Sequence, residues 1–424
     1  MKKQILFLFI LFLSVNVFAY QKTLTPVGKT KSFELSNINA IIIPEKSTDN
    51  LKKSAEDLKK YLSQIYSVDF VVLPDSNANN HFISIGDTEQ FKICGLKADL
   101  NADGYSIQYK DGNIFIFGGY LSGAENGVYA LLEEDLGCRF WDNRGSETIP
   151  VINSKEIKFV PRDYNPPFIT RDPWSYEKAG EDYGRRNRLR GYGAWGFVHT
   201  SFTYVPESNF EAHPEWFSMV KGKREPKQLC YSNPEVIDQI YNFLKSYMDA
   251  YDFESYAVSP QDGHPLCDCP VCNELDEKEG TKAATLIKAL NTVCERLEKD
   301  HPNKKLVTLA YLDYITPPKT IKPHQNLIIQ ICSDCADWPY PFFAYNETDK
   351  FQRDIQNWVA TGCETLTWNY VVNFDHYLIP SPNTKLVANN IKLLNDYNVD
   401  GVFLQGNYGD GIRDSGALKT WIWA

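Results

Sequence analysis

The feature that most constrains the fold is a repeated alternation of strand and helix patterns over roughly 240 residues of the chain. The strand patterns are short apolar runs at 168–172, 256–259, 306–312, 327–332, 364–372 and 401–405. The helix patterns between them are amphipathic and cover 236–251, 281–299, 351–361 and 383–397. This order is typical of a (β/α)8 barrel, in which functional side chains follow the strands. We therefore predict a TIM-like barrel over residues 161–424.

A smaller α/β domain is predicted before the barrel, over residues 33–160. It begins with a buried strand at 40–44 and an amphipathic helix at 51–65. A β-hairpin follows, with strands at 105–109 and 113–117 joined by a turn that ends at Gly112. We find no candidate nucleophile or metal cluster in this α/β sandwich and interpret it as an accessory domain.

The first 19 residues have the pattern of a secretory signal peptide. Lys2 and Lys3 precede an apolar stretch at 5–13, and cleavage is predicted after Ala19. The apolar stretch is shorter than the roughly 20 residues that a spanning helix needs, and no Cys follows the cleavage site, so we expect no membrane anchor. The mature protein is expected in the periplasm or outside the cell.

The last ten residues have the pattern of a helix that stops in mid-turn. Leu418, Trp421 and Ile422 begin an apolar face, and no capping residue or Gly follows them. We expect the chain to be truncated at its C terminus, with part of the barrel's closing helix missing.

The net charge and the amino-acid composition indicate which kinds of molecule the protein can bind. The formal net charge is -10, and removal of the signal with its two lysines makes it -12, which argues against nucleic acid and anionic membranes. The one basic cluster is Arg185, Arg186, Arg188 and Arg190, either a solvated face or an anion contact near the substrate. Aromatic residues make up 14% of the chain, a surplus that suits stacking against sugar rings.

The segment Ser259-Pro260-Gln261-Asp262-Gly263 is the predicted catalytic centre. It follows an apolar strand that Pro260 ends, and it presents a carboxylate beside a glycine. Glycosidic cleavage needs an acid that protonates the leaving oxygen, and Asp262 can be that acid. Gln261 could orient a polar group of the substrate. The alternative is that Asp262 shapes the loop, because Asp-Gly is an ordinary turn.

Three cysteines directly after this segment predict a structural site without a catalytic cofactor. Cys267, Cys269 and Cys272 lie within six residues, a spacing that suits a structural zinc ion completed by Cys335. Cys332 and His264 are the other candidates for the fourth ligand. In an oxidising compartment disulfides are the competing interpretation.

Polar and aromatic residues at or just past the strands predict a cleft that binds a glycan. Each of them has packing as its alternative role. The predicted substrate-binding residues are Arg171, Trp195, His199, Tyr311, Trp368, Asn369, Asn373 and Tyr377.

Four motifs together give the chain a family resemblance. They are Gln228-Leu229-Cys230 with Ser232 to Val236, Val258 to Gly263 with the three cysteines, Trp368 to Phe374 with Tyr377 and 380–383, and Gly401 to Gly406. With these motifs the chain resembles the domain of unknown function 4838, which glycoside hydrolase family 163 contains. The first domain resembles the accessory domain of α-glucuronidases and family 20 hexosaminidases.

The resemblance implies a retaining, substrate-assisted endo-β-N-acetylglucosaminidase that acts on N-glycans or glycoproteins, in a Bacteroidota-like utilisation system. Asp262 would be the acid, and Gln261 or Asn369 would polarise the acetamido group of the substrate. Two positions depart from the family pattern, because Glu is common at Leu404 and Asp at Asn369. The alternatives are an α-glucuronidase-like hydrolase and a non-catalytic glycan-binding protein derived from such an enzyme.

Overall fold

A computed structural model describes residues 24–36, 39–77, 81–175, 181–191, 193–333, 346–372, 374, 379, 382–406 and 416–423. The predicted signal peptide lies outside these residues. The described chain divides into two compact units. The first contains the chain up to Ile169, Ser175–Arg190 and the last helix, and the second contains Thr170–Trp174 and the chain from Gly191 to Tyr408.

The elements of the first unit follow the predicted mixture of strands and helices. Its described strands are β1 (Leu24–Pro26), β2 (Lys31–Glu34), β3 (Asn39–Ile43), β4 (Phe70–Pro74), β5 (Phe82–Ile85), β6 (Tyr105–Lys110), β7 (Asn113–Gly118), β8 (Arg139–Phe140), β9 (Glu147–Thr148), β10 (Glu156–Phe159) and β11 (Arg162–Tyr164). Its described helices are α1 (Asp49–Tyr66), α2 (Glu89–Cys94), α3 (Gly123–Ala130) with a π-helical turn at Leu131–Asp135, and α4 (Glu181–Arg186).

The main sheet of the first unit has the described strand order β1-β11-β6-β7-β5-β3-β4. The β6–β7 hairpin is antiparallel, whereas β3, β4, β5 and β7 pair in parallel. Asp111 and Gly112 both have positive φ in the hairpin turn, which is the backbone geometry of a type I′ turn. The Thr48 side chain caps α1 by accepting from the Leu51 N–H. Apolar side chains of α1 and α3 form one core with this sheet.

The elements of the second unit alternate as the sequence predicts. Its described strands are β12 (Thr170–Trp174), β13 (Ala194–Trp195), β14 (Phe217–Val220), β15 (Lys223–Leu229), β16 (Ser255–Ala257), β17 (Lys305–Ala310), β18 (Leu327–Cys332), β19 (Thr365–Tyr370) and β20 (Gly401–Gln405). Its described helices are α5 (Ser201–Tyr204), α6 (Pro234–Ala250), α7 (Pro270–Glu279), α8 (Ala283–Leu297), α9 (Asn346–Ala360) and α10 (Thr384–Asp396). The last helix, α11 (Gly416–Trp423), belongs to the first unit.

The main sheet of the second unit is parallel throughout and has the order β12-β20-β19-β18-β17-β16-β13. From β13 to β20, each strand of this sheet pairs with the strand of the sheet that comes next along the chain, and the first strand, β12, pairs with the last, β20. This is the order of a barrel that is open between β12 and β13. The predicted (β/α)8 barrel is therefore seen in part, because seven parallel strands are present among the described residues and β12 and β13 are not paired. β13 was not predicted, since two residues are too short for a periodic pattern.

The pairing register assigns each side chain of this sheet to one of two faces. Ala257, Val307, Ile328 and Leu366 contact one another on the face that we call the inner face. By the same register Trp368, Phe403 and Asp172 lie on the inner face, because successive side chains alternate across a strand. The opposite face packs against helices and is called the helix-facing side. No helix in the described parts of the chain is long and apolar enough to cross a bilayer.

Candidate active site

The predicted catalytic segment follows β16 and is hydrogen-bonded to the residues at the start of α5. Thr200 Oγ1 donates to the Ala257 carbonyl at 2.8 Å and accepts from the Ser259 N–H at 3.1 Å. The Ser201 N–H donates to the Ser259 carbonyl at 3.0 Å. The Tyr204 hydroxyl donates to the Ala257 carbonyl at 2.5 Å, and burial raises the pKa of this phenol. These bonds hold the strand end in one conformation.

Gln261 is bound on both its backbone and its side chain. Gln228, which is fully buried, accepts from the Gln261 N–H at 2.8 Å and donates to the Gln261 carbonyl at 2.6 Å. The Gln261 side-chain amide donates to the His199 carbonyl at 3.1 Å and to Ser201 Oγ at 3.0 Å. Both amide hydrogens therefore have partners within the protein, and the geometry favours Gln261 as a residue that positions the loop.

Asp262 and His199 form the pair with acid-base chemistry in this segment. His199 Nδ1 lies 2.7 Å from the Pro260 carbonyl, which can only accept, so Nδ1 carries the hydrogen and Nε2 is left for another partner. Nε2 lies 3.9 Å from an Asp262 carboxylate oxygen, and the Asp262 side chain is 66% exposed. His199 has a φ of 57°, a left-handed conformation that is uncommon outside glycine and concentrated at functional sites.

Aromatic side chains line the inner face at the carboxyl ends of the strands, and we call Trp174, Phe197, Trp368 and Phe403 the aromatic cluster. Phe197 stacks on Trp368 with ring centroids 5.2 Å apart and planes at 16°. Phe403 contacts the other three rings at 4.7–5.9 Å. Phe197 is 38% exposed and stands two residues before His199 in the chain, so the cluster includes one accessible apolar ring.

Trp195 lies on the helix-facing side. Its ring is 4.2 Å from Tyr247 and stacks with Phe243 at 5.9 Å, and both of these residues belong to α6. These contacts favour packing between the sheet and the helix. The substrate-binding role of Trp195 stays a prediction.

The same register places three further residues on the helix-facing side. Arg171, Asn369 and Leu404 alternate with inner-face residues of their strands. Asn369 is 6% exposed, its amide donates to Thr367 Oγ1 at 3.0 Å, and its Oδ1 has no hydrogen-bond partner among the residues that the structure describes. The positions at which the chain departs from the family pattern therefore lie across the sheet from the aromatic cluster.

Of the remaining residues that were predicted to bind the substrate, some are described by the structure and others are not. Tyr311 directly follows β17 and continues the alternation of Val307 and Leu309, which puts it on the inner-face side of the strand end. Asn373, Tyr377 and the predicted metal ligand Cys335 lie outside the described residues.

Four buried thiols come together beside the catalytic segment, and we call Cys230, Cys267, Cys269 and Cys272 the cysteine cluster. Their sulfur atoms all lie within 4.8 Å of one another. Three of these residues were predicted as metal ligands, and Cys230, which was not predicted, is the fourth member. Thiol hydrogen bonds from Cys267 and Cys272 lower the pKa of Cys230. Cys332 bonds weakly to its own strand through the Gln330 carbonyl at 3.9 Å.

The arginines of the basic cluster are largely buried and paired with carboxylates of the first unit. Arg185 and Arg186 lie 3.4 and 3.0 Å from an Asp57 oxygen on α1. Arg188 lies 2.6 Å from Glu133, and Arg190 lies 3.5 Å from Asp103. The hydrogen bond and the charge of Asp57 outweigh the effect of burial and raise the pKa of Arg186. These arginines are internal ion-pair partners of the first unit.

Sequence reasoning missed residues whose role depends on distant partners. Gln228 and Cys230 stand in a motif that carried the family resemblance, yet nothing local indicated that they contact residues more than 30 positions later. Trp174 and Phe197 are ordinary aromatic residues in the sequence. Their adjacency to strand ends was the available signal.

Comparisons with known proteins agree with this fold. Residues 144–424 match the family model described as Domain of unknown function (DUF4838). None of the curated proteins matches the chain. Among solved structures, a GH115 4-O-methyl-α-glucuronidase, BtGH115A, described as specific for decorated arabinogalactans, has a TM-score of 0.53 at 13% identity over 92% of this chain. This chain spans 56% of that enzyme.

Two further structures are similar. CpGH84B has a TM-score of 0.53 at 13% identity, covering 95% of this chain and 69% of its own. A β-N-acetylhexosaminidase from Bacteroides fragilis NCTC 9343 has a TM-score of 0.46 at 14% identity, covering 94% and 90%. At these identities the first two similarities establish a shared fold with glycoside hydrolases, and the third is too distant to add to it.

Proposed function

The chain belongs to the family defined by Domain of unknown function (DUF4838), and from that premise we propose that it is an exported glycoside hydrolase that cleaves N-glycans. We propose the endo-β-N-acetylglucosaminidase reaction, with retention and with participation of the substrate's acetamido group. The observation that supports it is the exposed Asp262 carboxylate, 3.9 Å from His199 Nε2 at the carboxyl edge of a parallel sheet. Active sites of barrel enzymes lie at this edge.

In the proposed mechanism Asp262 first acts as the acid. Its carboxylic acid gives a proton to the glycosidic oxygen while the acetamido oxygen attacks the anomeric carbon, so that the leaving sugar departs and an oxazolinium ion forms. The Asp262 carboxylate then takes a proton from water, which opens the oxazolinium ion with net retention. His199 Nε2, 3.9 Å from one carboxylate oxygen, is placed to orient the Asp262 side chain without taking up the proton that the acid transfers.

The aromatic cluster supplies the apolar surface of the proposed site. Phe197 is accessible and rests on Trp368, so a pyranose ring can stack on it without moving a buried side chain. We propose that Gln261 positions the loop and does not bind the acetamido group, because its two amide hydrogens already bind His199 and Ser201.

The experiment is to incubate the full chain with a glycoprotein that carries complex N-glycans and to analyse both products by mass spectrometry. The proposed reaction leaves a single N-acetylglucosamine on the asparagine and releases the rest of the glycan. We expect Asp262→Asn to lower the rate by about 10²–10⁴-fold, since a general acid contributes that much. Its melting temperature should not change, because the side chain is 66% exposed.

Asp238→Asn is the matched control, because this carboxylate on α6 is also exposed, at 54%. It should retain the activity of the unchanged chain. Full activity of Asp262→Asn would contradict the assignment of the acid. Glycan binding without cleavage by the unchanged chain would instead identify a glycan-binding protein.

A further inference from the structure

The sulfur atoms of the cysteine cluster have the spacing of a tetrahedral metal site. Cys230 Sγ lies 3.6 Å from Cys267, 3.8 Å from Cys269 and 3.9 Å from Cys272. A zinc ion with four Zn–S bonds of about 2.3 Å separates its sulfur ligands by about 3.8 Å. A disulfide would bring two sulfurs to about 2 Å, so these distances do not correspond to cross-linked cysteines.

The groups around the cluster are those that stabilise thiolates. The Met219 N–H donates to Cys267 Sγ at 3.2 Å, and Arg224 Nη1 lies 3.6 Å from the same sulfur. Ser232 Oγ lies 3.1 Å from Cys272 Sγ and 3.4 Å from Cys230 Sγ. Zinc with four thiolates has a net charge of -2, which the guanidinium of Arg224 partly balances. Such outer contacts fix the orientation of metal ligands.

We propose that Cys230, Cys267, Cys269 and Cys272 bind one zinc ion and that this ion clamps β15 to the loop of Asp262. Zn²⁺ replaces the four thiol protons, which pass to solvent. Zinc suits the site better than a metal with water or carboxylate ligands, because all four ligands are buried thiols. The closed ligand set makes the site structural.

The positions of the four ligands in the chain explain how one ion would hold β15 to the loop of Asp262. Cys230 directly follows β15, Cys267 and Cys269 lie on the loop after Asp262, and Cys272 is in the first turn of α7. Gln228, two residues before Cys230, binds the backbone of Gln261 and the His264 carbonyl at 3.1 Å. A metal that fixes Cys230 relative to Cys267 therefore also fixes the bridge that positions the catalytic loop.

The metal is tested on the full chain, purified without chelators from cells supplied with both zinc and iron. Elemental analysis should give one zinc per chain. An organomercurial reagent that titrates the thiols should release this zinc stoichiometrically, measured with a pyridylazo dye. Replacement by Co²⁺ should give the visible absorption of tetrahedral thiolate ligation. Iron in place of zinc, or a metal-free chain with disulfides by mass spectrometry, would overturn the proposal.

Variants identify the fourth ligand. Cys230→Ser should lose the zinc, and Cys294→Ser should keep it, because Cys294 is a buried thiol of α8 outside the cysteine cluster. Zinc retained at one per chain by Cys230→Ser would contradict the ligand set. Because a variant without metal can fail to fold, the thiol titration of the unchanged chain stands as the independent measurement.

The effect of the zinc ion on the catalytic loop rests on the proposed function, and it is tested separately by measuring the cleavage rate. Partial removal of zinc should lower the cleavage rate in proportion to the zinc lost, and added Zn²⁺ should restore it. If the chain contains zinc but cleaves no glycan, the proposed function fails and the metal site stands. If the activity is unchanged after zinc is lost, the clamp is wrong.

Discussion

Gln228 is the residue on which the conformation of the catalytic loop depends most directly. It is fully buried and makes hydrogen bonds to the N–H and the carbonyl of Gln261 and to the carbonyl of His264. These backbone groups have no strand ladder to join, so a side chain satisfies them. Asp262 is the next residue after Gln261, and its position is set through this contact.

Gln228→Ala should disturb catalysis without removing any group that touches the substrate. We expect the cleavage rate to fall by about 100-fold, because small displacements of catalytic groups have effects of that size. We also expect about 2 kcal/mol less free energy of unfolding, since buried backbone groups lose their partners. Kinetics with chemical denaturation measures both, and Gln325→Ala, an exposed glutamine bonded to Glu298, is the control. Unchanged kinetics in Gln228→Ala would show that the bridge does not position Asp262.

Phe197 and Trp195 are close in the chain but lie on opposite sides of the sheet. Phe197→Ala should raise the KM for the glycan by about tenfold, because a stacking surface is lost, and it should lower the stability less than Trp195→Ala does, because the Phe197 ring is 38% exposed. Trp195→Ala should cost about 3–5 kcal/mol of unfolding free energy, because the ring is packed against α6. Its effect on the KM should be small. The reverse pattern would mean that Trp195, and not Phe197, binds the sugar.

At the scale of elements, α4 and the residues after it are fixed to α1 and α3 by charge. Asp57 of α1 accepts hydrogen bonds from Arg186 at 3.0 and 3.1 Å and from the Tyr129 hydroxyl at 2.8 Å. Arg185 also donates to the Tyr129 hydroxyl. The arginine-rich segment is therefore a structural connector of the first unit.

Asp57→Asn tests this connection. It should lower the unfolding free energy of the first unit by about 2 kcal/mol, because it removes the carboxylate that both largely buried guanidinium groups share, while Asp182 and Glu147 remain as their other counter-charges. Glu56→Gln, which removes an exposed partner of Lys59 on the same helix, should change it by less than about 0.5 kcal/mol. Thermal and denaturant unfolding measure both variants. Equal effects would indicate that the arginines act as a solvated surface.

At the scale of the whole molecule, the two units have separate cores and only the second contains the cysteine cluster. Metal binding adds to folding stability only where the site is formed by folding. We therefore expect a chelator to lower the midpoint of one calorimetric transition and to leave that of the first unit unchanged. A shift of both transitions by equal amounts would show that the units unfold together.

The last helix shows that an apolar sequence pattern can predict a helix without predicting the element that the helix packs against. Leu418, Trp421 and Ile422 predicted a helix, and α11 is present. The rings of Trp421 and Trp141 lie 4.6 Å apart and are tilted by 49°, and Thr420 bonds to Ser175 at 2.8 Å, so the helix packs within the first unit. Leu418 and Ile422 are exposed, and Lys419 and Thr420 are buried, so the apolar pattern predicted the helix but not which of its residues are buried.

The sequence by itself determined the strands β18 and β20 to the residue, the α1 helix, the β6–β7 hairpin and three of the four thiols of the cysteine cluster. These features depend on periodicity, turn chemistry and spacing within a few residues. Only the tertiary structure decided that Cys230 completes the cluster, that Gln228 holds Gln261 and that Asn369 faces away from the aromatic cluster. Such contacts join residues that are distant in sequence, and which of them meet depends on strand pairing and register.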